Sequence, residues 1–273
     1  MSQFSSTDYY NDRLLGPADP PPFTLLNETG KAPLILFCDH AGRAFPRKLG
    51  NLGLSQAELD QHIAWDIGIA GVAAILSRNL DAPCAMANYS RLVIDCNRRL
   101  DDPTSIAQES DRTYIPGNAG LDAKARAQRA QEIFRPYHIA VDKLIKAKLA
   151  GGVLPAILSL HSFTPVMNGF QRPWHFGVLW NRDPRLPVPL MARLTQLPNV
   201  TVGDNEPYSG RDEHGFSIIA HAEEMSLPHA LIEIRQDLIS DEAGISRWTA
   251  KLEGTLKGLL ADPTVFYSPA KAT

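Results

Sequence analysis

With 273 residues, 44% of them hydrophobic and 21% charged, the chain can bury a sizeable core, and no break in composition divides it into two domains. Its net charge of −3 gives no electrostatic reason to expect nucleic acid or an acidic membrane as partner, and no apolar run nears the ~20 residues that span a bilayer. A small molecule is the expected partner. Cys38, Cys84 and Cys96 are odd in number and widely spaced, without a CxxC pair, and read as buried, reduced thiols. The opening MSQFSSTDYYNDRLL has no basic segment leading into an apolar one, so a cytoplasmic setting is expected.

In chain order, residues 1–28, polar and proline-rich (ADPPPF), read as an arm over a single α/β domain that fills 29–273. The apolar run Leu34, Ile35, Leu36, Phe37 predicts a buried strand over 34–38. Ser55 with Glu58 three residues on is a capping box that starts a helix. A second helix is expected over 67–80, small and apolar enough to pack closely on a sheet. Two short strands follow, over 84–88 and 92–95, and then a long loop. Leu121, Ala125, Ile133, Tyr137, Val141, Leu144, Ile145 and Leu149 recur at three- and four-residue intervals, which marks a long amphipathic helix stopped by Gly151-Gly152. Strands are expected over 156–160, 176–180, 200–202 and 230–234. Helices are expected near Pro187 and Pro189, over 215–225 and over 241–260. Strands alternating with helices predict an α/β fold built on a mixed, largely parallel sheet with helices on both faces.

Three islands carry the chemistry: DHAGR around His40, LHSFTP around His161 and IEIRQD around Glu233. Each follows or interrupts an apolar run, and strand ends are where an α/β sheet keeps its site. Two histidines so placed suit a catalytic zinc site that leaves one position open for water. Asp66, in HIAWDIGIA, is the preferred third ligand, with His62 and Asp39 as alternatives. A helix N-cap accepting backbone N–H groups explains Asp66 equally well. Glu233 reads either as a general base towards water acidified by the metal or as half of a buried ion pair with Arg235, since side chains two apart on a strand share a face. Arg91, Asn97, Arg98 and Arg99 cluster around a strand end. A guanidinium there can grip a substrate carboxylate through two parallel hydrogen bonds, or the group can be a solvated basic loop answering Asp101 and Asp102.

Taken in order, LFCDHAGRAFP, the AWDIG segment, SRLVIDCNR, LHSFTP and the stretch from NEPYSG through HALIEIRQDL resemble the N-formylglutamate amidohydrolases over about residues 33–239. The resemblance implies a fold like that of zinc-dependent exopeptidases and one zinc ion held by His40, Asp66 and His161. It implies that Glu233 promotes attack by water and that Asn97 and Arg98 hold the α-carboxylate. Arg91 would stabilise the oxyanion or bind a carboxylate, and Arg235 would be a further substrate contact. The implied reaction converts N-formyl-L-glutamate, or a similar N-acyl amino acid, to formate and L-glutamate in histidine breakdown. Better-known members read closer to PHSG where this chain has DHAG, and carry His where it has Asp66. Other readings are a zinc carboxypeptidase or deacylase for another small amide, and a catalytically silent small-ligand binding protein.

Overall fold

A seven-stranded mixed sheet forms the centre of the computed structural model, which describes residues 13–212 and 215–266. Residues 1–12 of the expected arm lie outside the described residues. The strands of the main sheet are β1 (Phe23–Leu26), β2 (Leu34–Cys38), β3 (Cys84–Ala87), β6 (Ala156–Phe163), β9 (Phe176–Leu179), β10 (Val202–Asp204) and β11 (His229–Arg235). Two short hairpins stand apart from it, β4–β5 (Glu109–Ser110, Thr113–Tyr114) and β7–β8 (Val166–Met167, Phe170–Gln171). The spatial order is β1-β3-β2-β6-β11-β9-β10. Strands β3, β2, β6 and β11 run parallel to one another, whereas β1 and β9 pair antiparallel with β3 and β11. The sheet is therefore mixed and largely parallel at its centre, as the alternation of elements predicts.

Helices cover both faces because the strands are apolar on both. The helices are α1 (Gln56–Leu59), α2 (Ile69–Asn79), α3 (Ala123–Arg129), α4 (Arg135–Ala150), α5 (Pro187–Leu194) and α6 (Glu242–Leu260). Leu34, Leu36 and Cys38 of β2 pack with Ile69 and Val72 of α2, Leu190 of α5 and Leu252 of α6. The alternate residues Ile35 and Phe37 pack with Tyr137, Val141 and Ile145 of α4. This is the period-two alternation of a strand buried on both sides. The expected capping box is present, Ser55 Oγ accepting from Glu58 N while the Glu58 carboxylate accepts from Ser55 N. The expected long helix is also present, with a π turn at Ala130–Phe134 between α3 and α4. Among the described residues no helix is long and apolar enough to cross a membrane.

Several local expectations need correcting. Phe23–Leu26, within the stretch read as an arm, is an edge strand hydrogen-bonded to β3. No strand forms over 92–95. Leu92, Val93 and Ile94 are buried, which is why they read as a strand, but side chains take the backbone carbonyls of Leu92 and Val93. Asn118 Nδ2 donates to Leu92 O at 2.9 Å and Arg129 Nη1 to Val93 O at 2.8 Å. The strand expected over 200–202 is shifted to Val202–Asp204. The helix expected over 215–225 shrinks to 217–223, most of it the π segment Ile219–Glu223.

Gly68 opens α2 with a φ of +81°, and a Cβ there would lie 2.0 Å from the backbone oxygen of Ile239. Gly68→Ala is therefore expected to destabilise the fold by roughly 2 kcal/mol or more, since it combines a left-handed backbone with a steric clash. Denaturant unfolding measures this, and an unchanged midpoint would mean that the 239 segment yields freely.

Candidate active site

Strands β2, β6 and β11 are adjacent and parallel, so their carboxyl ends lie along one edge of the sheet. His40 follows β2, His161 stands near the end of β6 and Glu233 near the end of β11. His161 and Glu233 occupy paired positions in the β6–β11 register. Alternation puts them on the same face: Ile232 and Ile234 point into the core beneath α2, α5 and α6, and Glu233 points the other way. A cavity of about 390 Å³ opens there, lined by His40, Asp66, His161, Glu233, Arg91 and Arg98 among others.

Asp66 comes from the turn between α1 and α2. Its backbone N–H donates to His40 O at 3.0 Å, which fixes that turn against the end of β2. Its side chain does not cap α2, whose N-cap is Gly68. Instead Asp66 Oδ2 lies 2.9 Å from His161 Nδ1 and 3.5 Å from His40 Nδ1, and accepts from Ser162 N at 3.2 Å. One ligand atom from each of His40, Asp66 and His161 falls within 4.8 Å of the others, and all three residues are buried.

Behind each histidine stands a carboxylate. His40 Nε2 donates to Asp95 Oδ1 at 2.7 Å, which leaves Nδ1 buried without a hydrogen-bond partner and facing the cluster. His161 Nε2 faces Ser159 Oγ at 3.1 Å and Asp39 Oδ2 at 3.4 Å. Outer carboxylates of this kind hold metal-binding histidines in one orientation and raise their basicity.

The electrostatics suit a cation. Buried Asp39, Asp66, Asp95 and Glu233 converge on two histidines and on Arg91, whose guanidinium reaches Asp95 at 3.0 Å and Asp66 at 3.5 Å, with Arg98 also acting on Asp95. Burial alone would depress His161, but Asp39 and Asp66 more than offset it and raise its pKa to about 10. In the absence of a cation the cluster therefore holds a proton in the place a metal ion would take. Burial likewise works against the Asp66 carboxylate, yet His40 and His161 keep it below the ordinary range. The donor set, the orphaned His40 Nδ1 and the charge balance fit a divalent ion. His40, Asp66 and His161 could hold it.

Glu233 is different. Burial is the main cause that lifts its carboxyl, to about 7, with His161 pulling the other way and Asp66 adding to the rise. Its Oε2 is buried without a hydrogen-bond partner. The ion pair with Arg235 does not form. Arg235 turns to Asp237, at 2.8 Å, and to the backbone oxygen of Arg172, at 3.2 Å.

The family model for N-formylglutamate amidohydrolases matches residues 32–240. The chain belongs to this family. A gene product of Agrobacterium tumefaciens with a solved structure is 33% identical, with a TM-score of 0.88 over 91% of this chain and 98% of that one. The N-formylglutamate amidohydrolase from Ralstonia eutropha, 21% identical, shares the fold at a TM-score of 0.65, over 88% of this chain and 97% of its own. No curated protein matches the sequence. Membership of the N-formylglutamate amidohydrolase family supports amide hydrolysis as the class of reaction.

In this N-formylglutamate amidohydrolase family member the remaining expected residues divide. Arg91, Asn97 and Arg98 line the cavity; Arg235 is not among its lining residues. Asn97 Oδ1 is occupied, accepting from Phe216 N and Ser217 N at 2.9 and 3.0 Å. His62, weighed as a ligand, faces Asp111 at 3.3 Å instead and stands outside the His40, Asp66 and His161 group. Asp39 stands behind His161. The sequence reading gave Asp95 no role, although an acid inside the apolar run VIDC is the same signal that drew attention to Glu233. Asp95→Asn is expected to weaken metal binding by ~10–100-fold, the usual effect of losing an outer partner. Competition with a chelator reads the affinity, and a wild-type value would remove Asp95 from the support of His40.

Proposed function

We propose that this chain hydrolyses the amide bond of N-formyl-L-glutamate, or of a similar N-acyl amino acid, releasing formate and L-glutamate with the help of one zinc ion. The observation that carries the reading is the convergence of His40, Asp66 and His161 beside Glu233, which is paired in register with His161 and has an unpartnered oxygen. His40, Asp66 and His161 would hold the ion. When bound, zinc would polarise the acyl oxygen and make water acidic enough to attack near neutral pH.

The chain's own residues do the rest. Glu233 accepts a proton from the attacking water while the water oxygen bonds to the acyl carbon. The same carboxyl returns the proton to the nitrogen as the C–N bond breaks, which leaves formate and a free amine. A pKa near 7 suits a group that must both take and give a proton. Arg91 lines the cavity with 26% of its side chain exposed, and its charge stabilises the oxyanion as negative charge builds on the acyl oxygen. Asn97 and Arg98, at the cavity wall, hold the α-carboxylate. The Ralstonia relative's activity accords with this assignment of substrate.

The deciding experiment pairs metal analysis of freshly purified protein with formate release from N-formyl-L-glutamate before and after chelation. About one zinc per chain with chelator-sensitive release supports the reading. Zinc without formate release would keep the hydrolase and discard the substrate. No metal, and no rescue by added zinc, would leave a small-ligand binding protein. Arg98→Ala is expected chiefly to raise KM for a carboxylate-bearing substrate, because it removes binding common to ground and transition states. Unchanged discrimination against an uncharged amide would remove that role.

A further inference from the structure

We propose that Leu179, Trp180, Ile219 and Leu231 form a lobe that takes an uncharged, apolar chain of the substrate, so that this site prefers N-acyl amino acids bearing such a chain to N-formyl-L-glutamate. The inference rests on the N-acyl amino acid reading above and adds to it the chemistry of the group that fills the cavity.

Four apolar side chains are committed to the cavity rather than to a core. Leu179, Trp180, Ile219 and Leu231 all line it, and none of them belongs to either hydrophobic core or packs against one. Leu231 stands in the middle of the sheet. Its strand neighbours Ala230 and Ile232 are fully buried, while Leu231 is only half-buried. It lies two residues before Glu233 and therefore on the same face, about 7 Å away along the strand. Leu179 is directly opposite it in the β9–β11 register, and Trp180 follows β9. Ile219, in the π segment Ile219–Glu223, adds a second wall. Apolar surface left facing water in a cavity is stabilised when an apolar group covers it.

The charges near this lobe are wrong for a carboxylate. Among the described residues, the arginines and lysines that line the cavity are Arg91 and Arg98, and both act on Asp95, the carboxylate behind His40. At the far end of the π segment is Glu223, which also lines the cavity. Glu223 faces His229, two residues before Leu231, at 3.6 Å. The lobe therefore runs from Glu233 past Leu231 towards a carboxylate. A chain with an anionic end would meet a like charge there, whereas an apolar chain gives up only water. The volume agrees. About 390 Å³ lies in the range that encloses a drug-sized ligand, and N-formyl-L-glutamate is far smaller. Arg98 and Asn97 would hold the α-carboxylate, and the lobe would take an apolar chain from the acyl group or from the amino-acid side chain.

The test compares amine release by the metal-loaded enzyme from N-formyl-L-glutamate, N-hexanoylglycine and N-formyl-L-norleucine in wild type, Ile219→Trp and Leu231→Ala. The second compound carries its chain on the acyl side and the third on the amino-acid side, so the better of the two names the end that enters the lobe. Wild type is expected to favour at least one of them over N-formyl-L-glutamate by on the order of tenfold or more in kcat/KM, the scale set by methylenes in an apolar pocket. Ile219→Trp fills the lobe and should cost the favoured compound at least about tenfold more than it costs N-formyl-L-glutamate. Leu231→Ala strips the floor, should compress the preference in the same direction by less, and carries the test if Ile219→Trp does not fold. No preference for either chain-bearing compound, or equal losses on all three, would overturn the lobe while leaving the hydrolysis in place. If wild type releases amine from none of them, the reaction assignment fails and the lobe is judged by calorimetry with the same compounds. Tighter binding of a chain-bearing compound that is lost in the variants keeps it, and equal or absent binding overturns it.

Discussion

Glu233→Gln is expected to retain its metal while kcat falls by on the order of 10² or more, the range for a lost general acid or base. The amide keeps the shape of the side chain and its place opposite His161 in the β6–β11 register, but it cannot take a proton from water. Formate release and metal content measured on the same preparation separate the two effects, and near-normal turnover would sink the assignment. The pH profile gives a second reading. Glu233 acts as the carboxylate, and burial lifts its pKa to about 7, so wild-type kcat/KM climbs as pH rises towards that value. A bound divalent cation favours the carboxylate and moves this limb to lower pH. In Glu233→Gln the limb disappears, and its persistence would assign it to another group. The substitution should not lower Tm, since a buried carboxylate with an unpartnered oxygen costs more than a buried amide. A site kept at the expense of stability is typical of function.

His161→Ala should lose metal and activity together, with a fall in metal affinity beyond the ~10–100-fold expected for an outer partner such as Asp95. Nδ1 of His161 lies 2.9 Å from Asp66 Oδ2 and its Nε2 lies 3.4 Å from Asp39 Oδ2. Removing the ring leaves two buried carboxylates facing one another with less positive charge between them. The metal-free fold should therefore weaken by about 3–5 kcal/mol, the usual result of breaking a buried pair from one side. His161→Gln, which preserves volume, distinguishes a lost ligand from a lost fold. A variant that remains active without metal would refute the ligand role.

Much of this site was legible before any tertiary contact was known. His40, His161 and Glu233 each sit in a short apolar run of the kind that makes a buried strand, and local pattern suffices to place them at strand ends. The same pattern misleads at 92–95, where Leu92, Val93 and Ile94 are buried but the Leu92 and Val93 carbonyls bond to Asn118 and Arg129. Apolar runs report burial, and burial is shared by strands and by well-dressed turns. Asp66 shows the converse limit. A helix cap and a metal ligand look alike in sequence, and only the fold removes the cap, by turning the carboxylate towards His161 and away from α2.

The sequence by itself determined most strands of the main sheet and the helices that cover it, the mixed α/β class and the candidates His40, Asp66, His161, Glu233, Arg91, Asn97 and Arg98, because periodicity, capping and buried polar residues are local properties of the chain. Only the tertiary structure decided what each side chain faces. It put Asp95 behind His40 and Asp39 behind His161, and turned Arg235 to Asp237. Those arrangements depend on the parallel alignment of β2, β6 and β11 and on contacts such as His40 with Asp95 and Asp66 with His161, which join residues 55 and 95 positions apart. No local pattern encodes a pairing over that distance, since it is set by which strands become neighbours when the two cores close.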